Sequence, residues 1–383
     1  MATIKEFVHR YKAGESSNGL PARNIIILMD GTWNDEQADA DDAVTNIVKM
    51  RRLLADDCDE QATRYFRGVG NNEDNGVWGR FREGTFGHGE RRIRKFAYAT
   101  VARLYRPGDH LYIFGFSRGA ASARMLASDL AKNGIPNEFE IILKPYANKQ
   151  TKNIEYGFEE LRVINKNTNE VKVDFLGVWD TVYAFGIPMR LLSIPFHKYD
   201  LFRDKKIALN IRYAVHVVAI DETRDPFQPA LMDHAQGNIH EVWFPGVHSD
   251  VGGGYEQDSL GRITLEYMLS MLDSYCSNNY LPPIRYDSIR RDDYTNMKDR
   301  TLAFHFHGLG YKKSIRPIEV IYNGNASNKK PKLHKSVEDL QDSSEVFSLQ
   351  EKGFWGNKEK VLRRIVYNPA NVKSLREEYQ IVP

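Results

Sequence analysis

The chain has 383 residues, 42% hydrophobic and 11% aromatic, which excludes global disorder and suits one large α/β domain, alone or with an appendage. Its 53 basic and 51 acidic residues leave a net charge of +2, a balance that gives no bulk affinity for nucleic acid. Two distant cysteines, Cys58 and Cys276, exclude a disulfide framework, and there is no Cys-x-x-Cys pair for structural zinc.

In chain order, residues 1–20 read as an N-terminal extension without a signal-type apolar run. "NIIILMDGT" (24–32) reads as a buried strand ending in a turn; its "IIILM" is far shorter than the ~20 residues that span a bilayer. The chain is therefore expected to be soluble and cytoplasmic where it is made, with export by a signal-independent machine left open. Residues 44–56 have helical spacing, and 63–70 read as a strand followed by a Gly/Asn loop. In 91–106, Ile93, Phe96, Ala97, Val101, Leu104 and Tyr105 share the face of an amphipathic helix. "HLYIFGFS" is a strand, and "RGAASARMLASDLAKNG" a helix closed by Gly134. "VKVDFLGVWDT" (171–181) is a buried strand ending at Asp180, "HEVWFPGVHSDVGGGY" (240–255) a strand and a Gly-rich loop, and 263–275 a helix. This alternation predicts an α/β fold with a mostly parallel central sheet covered on both faces. The catalytic core is placed at 21–280. The polar stretch 281–383 reads as a C-terminal appendage packed on the same domain.

"IFGFSRGAA" (113–121) contains G-x-S-x-G between an apolar strand and a small-residue helix. The pattern has a steric cause. A serine on a sharp strand-to-helix turn brings neighbouring backbone against positions two before and two after it, so glycine fits both. The turn lifts the hydroxyl above the sheet edge, at a helix N-terminus that favours negative charge. Ser117 is the expected nucleophile.

A nucleophilic serine needs a base, and the base an orienting acid. Of 11 histidines, His9 lies in the N-terminal lead, His110 at the far end of the serine's strand, and His216 inside the apolar run "YAVHVVAI". His305 and His307 alternate in a strand-like pattern, a weak metal signal. His248 follows a strand and opens onto "DVGGGY", the late-loop position that the order serine, acid, histidine requires. Asp180, at the tip of a buried strand between the other two, is the expected acid, because a buried carboxylate needs a partner and an imidazole N–H is one. Asp250, Asp221 and Asp225 are its rivals. The oxyanion hole is expected from the N–H of Arg118, with Gly31 or Thr32 of "MDGTW" as second donor.

"IIILMDGT" also looks like the start of an aspartyl-phosphate phosphatase. The nucleophilic aspartate of that pattern is Leu28 here, which cannot form an acyl phosphate. Asp30 is expected to order the turn.

Taken together, "LMDGTWND", "GFSRGAA", "GVWDTV", "AIDETRDPF" and "WFPGVHSDVGGGY" resemble, over roughly residues 24–372, the α/β-hydrolase family that includes phospholipase effectors of the bacterial type VI secretion system. "LHKSV" (333–337) and "VYNPANV" (366–372) look like its C-terminal signature. The resemblance implies a Ser117–Asp180–His248 triad, acyl-ester lipid substrates and no cofactor or metal. An immunity or regulatory partner stays unidentified. Residues 184–202 are apolar and suit a lid or acyl groove, or an ordinary buried helix. Residues 80–106 hold eight basic residues against Glu83 and Glu90, a face that is solvated or meets anionic head groups. The alternatives are a peptidase or other acyl hydrolase with the same triad, a non-catalytic binding protein on a hydrolase scaffold, and a metal-dependent hydrolase built around Asp30, Asp250 and the histidines.

Overall fold

The computed structural model describes residues 6–12, 21–31, 44–55, 57–68, 86–147, 153–182, 205–256, 258–287, 302–305, 313–343, 346–352, 359–376 and 378–383. Thr32, His307, most of the 184–202 segment's neighbourhood and that segment itself lie outside the described residues.

The elements in chain order are β1 (Phe7–Lys12), β2 (Asn24–Met29), α1 (Asn46–Leu53), β3 (Gln61–Phe66), α2 (Phe86–Leu104), β4 (His110–Phe116) and α3 (Arg118–Asn133). Then come β5 (Ile135–Ala147), β6 (Ile154–Asn169), β7 (Phe175–Trp179), β8 (Ala214–Ala219), β9 (Ile239–Phe244), α4 (His248–Gly252) and α5 (Ser259–Asn278). The C-terminal part adds β10 (Leu302–His305), β11 (Val320–Tyr322), β12 (Asn325–Ser327), β13 (Lys332–His334), α6 (Ser336–Asp342), β14 (Val346–Lys352), β15 (Glu359–Ile365), α7 (Ala370–Ser374) and β16 (Gln380–Val382).

The central sheet has eight strands in the order β16-β13-β9-β8-β7-β4-β2-β3, and every neighbouring pair is parallel. The run "IIILM" is apolar throughout because both of its faces are covered. Ile25, Ile27 and Met29 pack into one core with α2 and α3, whereas Ile26 and Leu28 pack into the other with α1 and α5. This is the mostly parallel, covered sheet that the alternation of strands and helices predicts, and the α/β-hydrolase-like architecture that the resemblance implies. Parallel strands all end on one edge, where ligand sites of open α/β sheets form. Here Asp30, Ser117, Asp180 and Asp221 follow the ends of β2, β4, β7 and β8.

The structure adds to three parts of the sequence reading. From the stretch after 281, β13 and β16 extend the central sheet, β13 pairing with β9 and β16 with β13, while β10, β14 and β15 form a separate sheet. Strands β13 and β16 are only three residues long, too short for hydrophobic periodicity to reveal them. Residues 135–169, to which the sequence reading assigned no element, form the long antiparallel β5–β6 hairpin, with β1 of the N-terminal extension along its edge. Its signal was present in the alternation of "FEIILK", whose Phe139 and Ile141 pack against the α2–α3 core. His248, expected on a loop, opens the short helix α4; Asp250 accepts a hydrogen bond from the Val247 N–H (3.0 Å) and so caps it.

Candidate active site

Ser117 sits between β4 and α3 with φ 60° and ψ −124°, a strained backbone for a residue with a side chain. Packing enforces it. A Cβ on Gly119 would lie 2.3 Å from the Met29 carbonyl oxygen and 2.4 Å from that of Asp30, and one on Gly115 would lie 2.6 Å from the Gly119 carbonyl oxygen. The first turn of α3 thus presses directly on the end of β2. The Ser117 N–H donates to the Trp179 carbonyl (3.0 Å), which ties the turn to the end of β7.

The ends of β7 and β9 bring two more side chains to this point. Ser117 Oγ lies 2.8 Å from His248 Nε2, and His248 Nδ1 lies 2.6 Å from Asp180 Oδ2. A carboxylate can only accept, so Nδ1 carries the proton and donates, leaving Nε2 to accept from the serine hydroxyl. The imidazole is held between the rings of Phe116 (centroids 4.7 Å apart) and Phe227 (5.0 Å, edge-on). Asp180 is 0% exposed, His248 4% and Ser117 7%.

Two groups around the imidazole were not foreseen. Arg316 is fully buried, and its guanidinium grips both Asp180 oxygens, Nη1 to Oδ1 at 2.7 Å and Nη2 to Oδ2 at 2.9 Å. The Ala219 N–H is a second donor to Oδ1 (3.0 Å). Burial alone would raise the Asp180 carboxyl pKa; Arg316, and then His248, more than reverse this and hold it well below the usual carboxylate range. Glu222 accepts from the His248 backbone N–H (3.3 Å) and from Arg224 through its backbone N–H (2.8 Å), Nε (2.8 Å) and Nη2 (2.6 Å). Burial pushes the His248 pKa below the ordinary imidazole value, outweighing the upward pull of Asp180 and Glu222. The signal for Arg316 was one cation in the apolar string "SIRPIEV". That for Glu222 lies in "AIDETRDPF", of whose carboxylates only Asp221 and Asp225 enter the sequence reading.

The rival acids sit elsewhere. Asp250 caps α4. Asp221 accepts from the Gly246 N–H (2.7 Å) and the Tyr367 hydroxyl (2.9 Å), and burial pushes it up to about 7. Asp225 belongs to a short 3-10 turn. Asp30 orders its turn as expected, accepting from Thr45 Oγ1 (2.8 Å) and the Tyr65 hydroxyl (2.9 Å). Its other oxygen accepts from the Gly31 N–H at 2.7 Å. That bond corrects one expectation: the Gly31 amide is occupied by the neighbouring carboxylate and not presented as a free oxyanion donor. The Arg118 N–H is the first of α3 and lies outside the i→i−4 ladder, which leaves it available.

Other histidines among the described residues lie elsewhere. His110 lies 3.5 Å from Asp174 at the opposite sheet edge, His9 is on β1, and His305 is on β10. His216, read as a core residue, is fully buried in β8, with Nδ1 2.8 Å from Glu241 Oε2 and Nε2 accepting from the Thr181 N–H (3.2 Å). Asp30, Asp250 and the histidines are not brought together: among the described residues no group of three or more His, Cys, Asp and Glu side chains is arranged to hold a metal ion. In the basic stretch, Arg92 donates to the Phe158 carbonyl and Arg94 pairs with Glu90 (2.9 Å) and Asp129, so part of that face is bound internally. No helix among the described residues is long and apolar enough to cross a membrane.

Comparison with known proteins finds several relatives. A curated Saccharomyces cerevisiae protein, the uncharacterized protein YEL023C, is 28% identical over 237 residues, covering 56% of this chain and 33% of the yeast protein. A crystal structure of an uncharacterized protein from Pseudomonas aeruginosa aligns at 19% identity with a TM-score of 0.42, over 73% of this chain and 49% of the other. The structure of the Tle1 effector bound to the VgrG spike of the type 6 secretion system aligns at 20% identity with a TM-score of 0.35, over 64% and 52%. The chain thus spans a third of the yeast protein and about half of each of these solved chains. Residues 23–271 match the model of the type VI secretion phospholipase effector Tle1-like catalytic domain, and the chain belongs to that family.

Proposed function

We propose that this chain is a serine hydrolase that cleaves acyl esters of lipids, with Ser117 as nucleophile, His248 as general base and Asp180 as the acid that orients it. The observation that carries the reading is the unbroken hydrogen-bond chain Ser117–His248–Asp180, mounted on a strained turn that two glycines make sterically possible. Membership of a phospholipase effector family supports the substrate class.

In the first step Nε2 takes the hydroxyl proton as Ser117 Oγ attacks the ester carbonyl. The carbonyl oxygen becomes an oxyanion beside the Arg118 N–H and the positive end of α3. His248 then gives its proton to the departing alcohol, leaving an acyl-serine. Water, deprotonated by the same imidazole, attacks the acyl-serine; the proton returns to Ser117 and the fatty acid leaves. Asp180 stays ionised throughout, because Arg316 and the His248 N–H hold its charge.

One observation favours the runner-up, a non-catalytic scaffold: the Gly31 amide is engaged by Asp30. Fluorophosphonate labelling separates the two. The expected result is covalent modification mapped to Ser117, blocked in Ser117→Ala, with lysophospholipid and free fatty acid released from phospholipid vesicles by the wild type alone. Vesicle hydrolysis that vanishes in chelator and returns with a divalent ion would instead establish the metal-dependent reading. An unlabelled Ser117 without turnover would establish the scaffold.

A further inference from the structure

The family match ends at residue 271, yet the cation on the acid comes from residue 316. Resting on the triad reading above, we propose that Arg316 is a positioning residue: its guanidinium fixes the rotation of the Asp180 carboxylate so that Oδ2 meets His248 Nδ1, and its charge keeps the imidazole available as a base in mildly acidic solution.

The geometry supports each half of this. Asp180 itself sits at φ 38°, an unfavourable backbone for a non-glycine residue, so its position at the strand end is held by the surrounding structure, and its carboxylate, free to turn about its own bond, needs partners to hold one orientation. A bidentate guanidinium supplies it, because a planar fork on two carboxylate oxygens leaves no free rotation. The fork is itself anchored. Nη1 also donates to the Ala219 carbonyl (2.7 Å) and Nη2 to the Phe227 carbonyl, so Arg316 ties the acid to the end of β8 and to the ring that abuts His248.

The backbone carrying Arg316 is clamped on both sides. The Ser314 N–H donates to the Thr223 carbonyl (2.7 Å). On the other side Asn371 Nδ2 donates to the Arg316 carbonyl (3.2 Å) and to the Ile220 carbonyl (3.0 Å), while the Tyr367 hydroxyl reaches Asp221. Tyr367 and Asn371 are two of the three polar residues of "VYNPANV", the C-terminal string for which local sequence offers no role. Its role in this structure is to lock the Arg316 segment onto the loop after β8.

The charge half follows from what faces His248. Asp180 approaches from the end of β7, Glu222 with its partner Arg224 from the loop after β8, Ser117 from the β4–α3 turn, and Arg316 from the C-terminal segment. Asp250 on the histidine's own helix turns to the Val247 N–H, and Asp221 to Gly246 and Tyr367. Both Asp180 and Glu222 favour imidazolium, and each has one arginine set against it. Without Arg316 the Asp180 charge acts on the imidazole unopposed, so its protonated form persists to higher pH. The acid itself also becomes easier to protonate. Both changes move the acidic limb of the rate profile upward.

The test uses full-length Arg316→Met and Arg316→Lys, with turnover of a soluble p-nitrophenyl ester measured across pH and expressed per folded molecule by near-ultraviolet circular dichroism. In Arg316→Met the acidic limb of kcat/KM should rise by about one pH unit, the scale of one neighbouring charge. Arg316→Lys keeps the charge without the fork. It should leave the limb in place and lower kcat about tenfold, the scale of an outer partner of a functional ligand. NMR titration of His248 should show the same upward shift in Arg316→Met whether or not turnover survives. If Arg316→Met does not fold, full kcat per folded molecule in Arg316→Lys overturns the proposal. So does an unmoved limb together with an unmoved His248 titration in folded Arg316→Met. A wild type without Ser117-dependent turnover removes the hydrolase reading itself; wild-type turnover with indifferent Arg316 variants removes only this inference.

Discussion

Two buried carboxylate–imidazole pairs stand on β7 to β9 and the residues that follow them, and only one of them faces a serine hydroxyl. Asp180 meets His248 Nδ1 at 2.6 Å, and Glu241 meets His216 Nδ1 at 2.8 Å. Both imidazoles therefore carry their proton on Nδ1 and accept at Nε2. The difference is the donor at Nε2. For His248 it is the Ser117 hydroxyl, whose proton can leave and whose oxygen can attack. For His216 it is the Thr181 backbone N–H, whose proton cannot leave under ordinary conditions. The second pair is thus a strut that holds the residue after Asp180. The comparison teaches that a histidine–acid couple does not define a base; the group opposite the free nitrogen does.

The largest expected effect is at that group. Ser117→Ala should lower kcat by about 10⁴ to 10⁶, the scale for losing a triad nucleophile, while circular dichroism and the thermal midpoint stay near wild type. Retention of near-wild-type turnover would break the comparison at its root, since both pairs would then be struts.

Next come the two carboxylates. Asp180→Asn should cost about 10⁴ in kcat by favouring the wrong imidazole tautomer. It also leaves buried Arg316 without its counter-charge, a loss of about 3 kcal/mol in stability, so kinetics belong on the folded fraction in mild conditions. Glu241→Gln should behave as damage to a strut, with about 1–3 kcal/mol lost in denaturant titration and kcat within about tenfold of wild type. Equal kinetic losses at the two sites would mean that the strut is part of the chemistry.

The pH dependence sharpens the contrast further. His248 must be neutral to accept a proton, and burial sets its pKa below the ordinary imidazole value of ~6.5. As pH rises the imidazolium loses its proton and activity appears, so kcat/KM should rise through one ionisation with its midpoint below pH ~6.5. A midpoint well above that value would show that Asp180 and Glu222 outweigh burial.

The smallest effect is expected at the rival acid. Asp250→Asn weakens the cap of α4, for about 1 kcal/mol of stability, and should leave kcat within a few-fold of wild type. A larger kinetic loss here than in Asp180→Asn would move the acid to Asp250.

What the sequence determined by itself is what local physics writes into contiguous residues. The apolar runs at 24–29, 110–116, 175–179, 214–219 and 239–244 must be buried on both faces, so a covered parallel sheet follows from them. Glycines two places either side of Ser117 mark a turn that no larger side chain permits, so the elbow is legible before any contact is known. Strand tips in the order serine, aspartate, histidine then point to Ser117, Asp180 and His248. Only the tertiary structure decided the rest, because those choices depend on partners far away in the chain. The Gly31 amide is taken by its neighbour Asp30, whose carboxylate is set in place by the distant Thr45 and Tyr65 hydroxyls. His216 and His248 each lie at or near a strand and differ only in what lies opposite Nε2. Arg316 lies 136 positions from Asp180, and an isolated arginine in an apolar stretch does not name the carboxylate it will bind. The three-residue strands β13 and β16 join the sheet because β9 offers an open edge, a property of the folded sheet rather than of the segment that fills it.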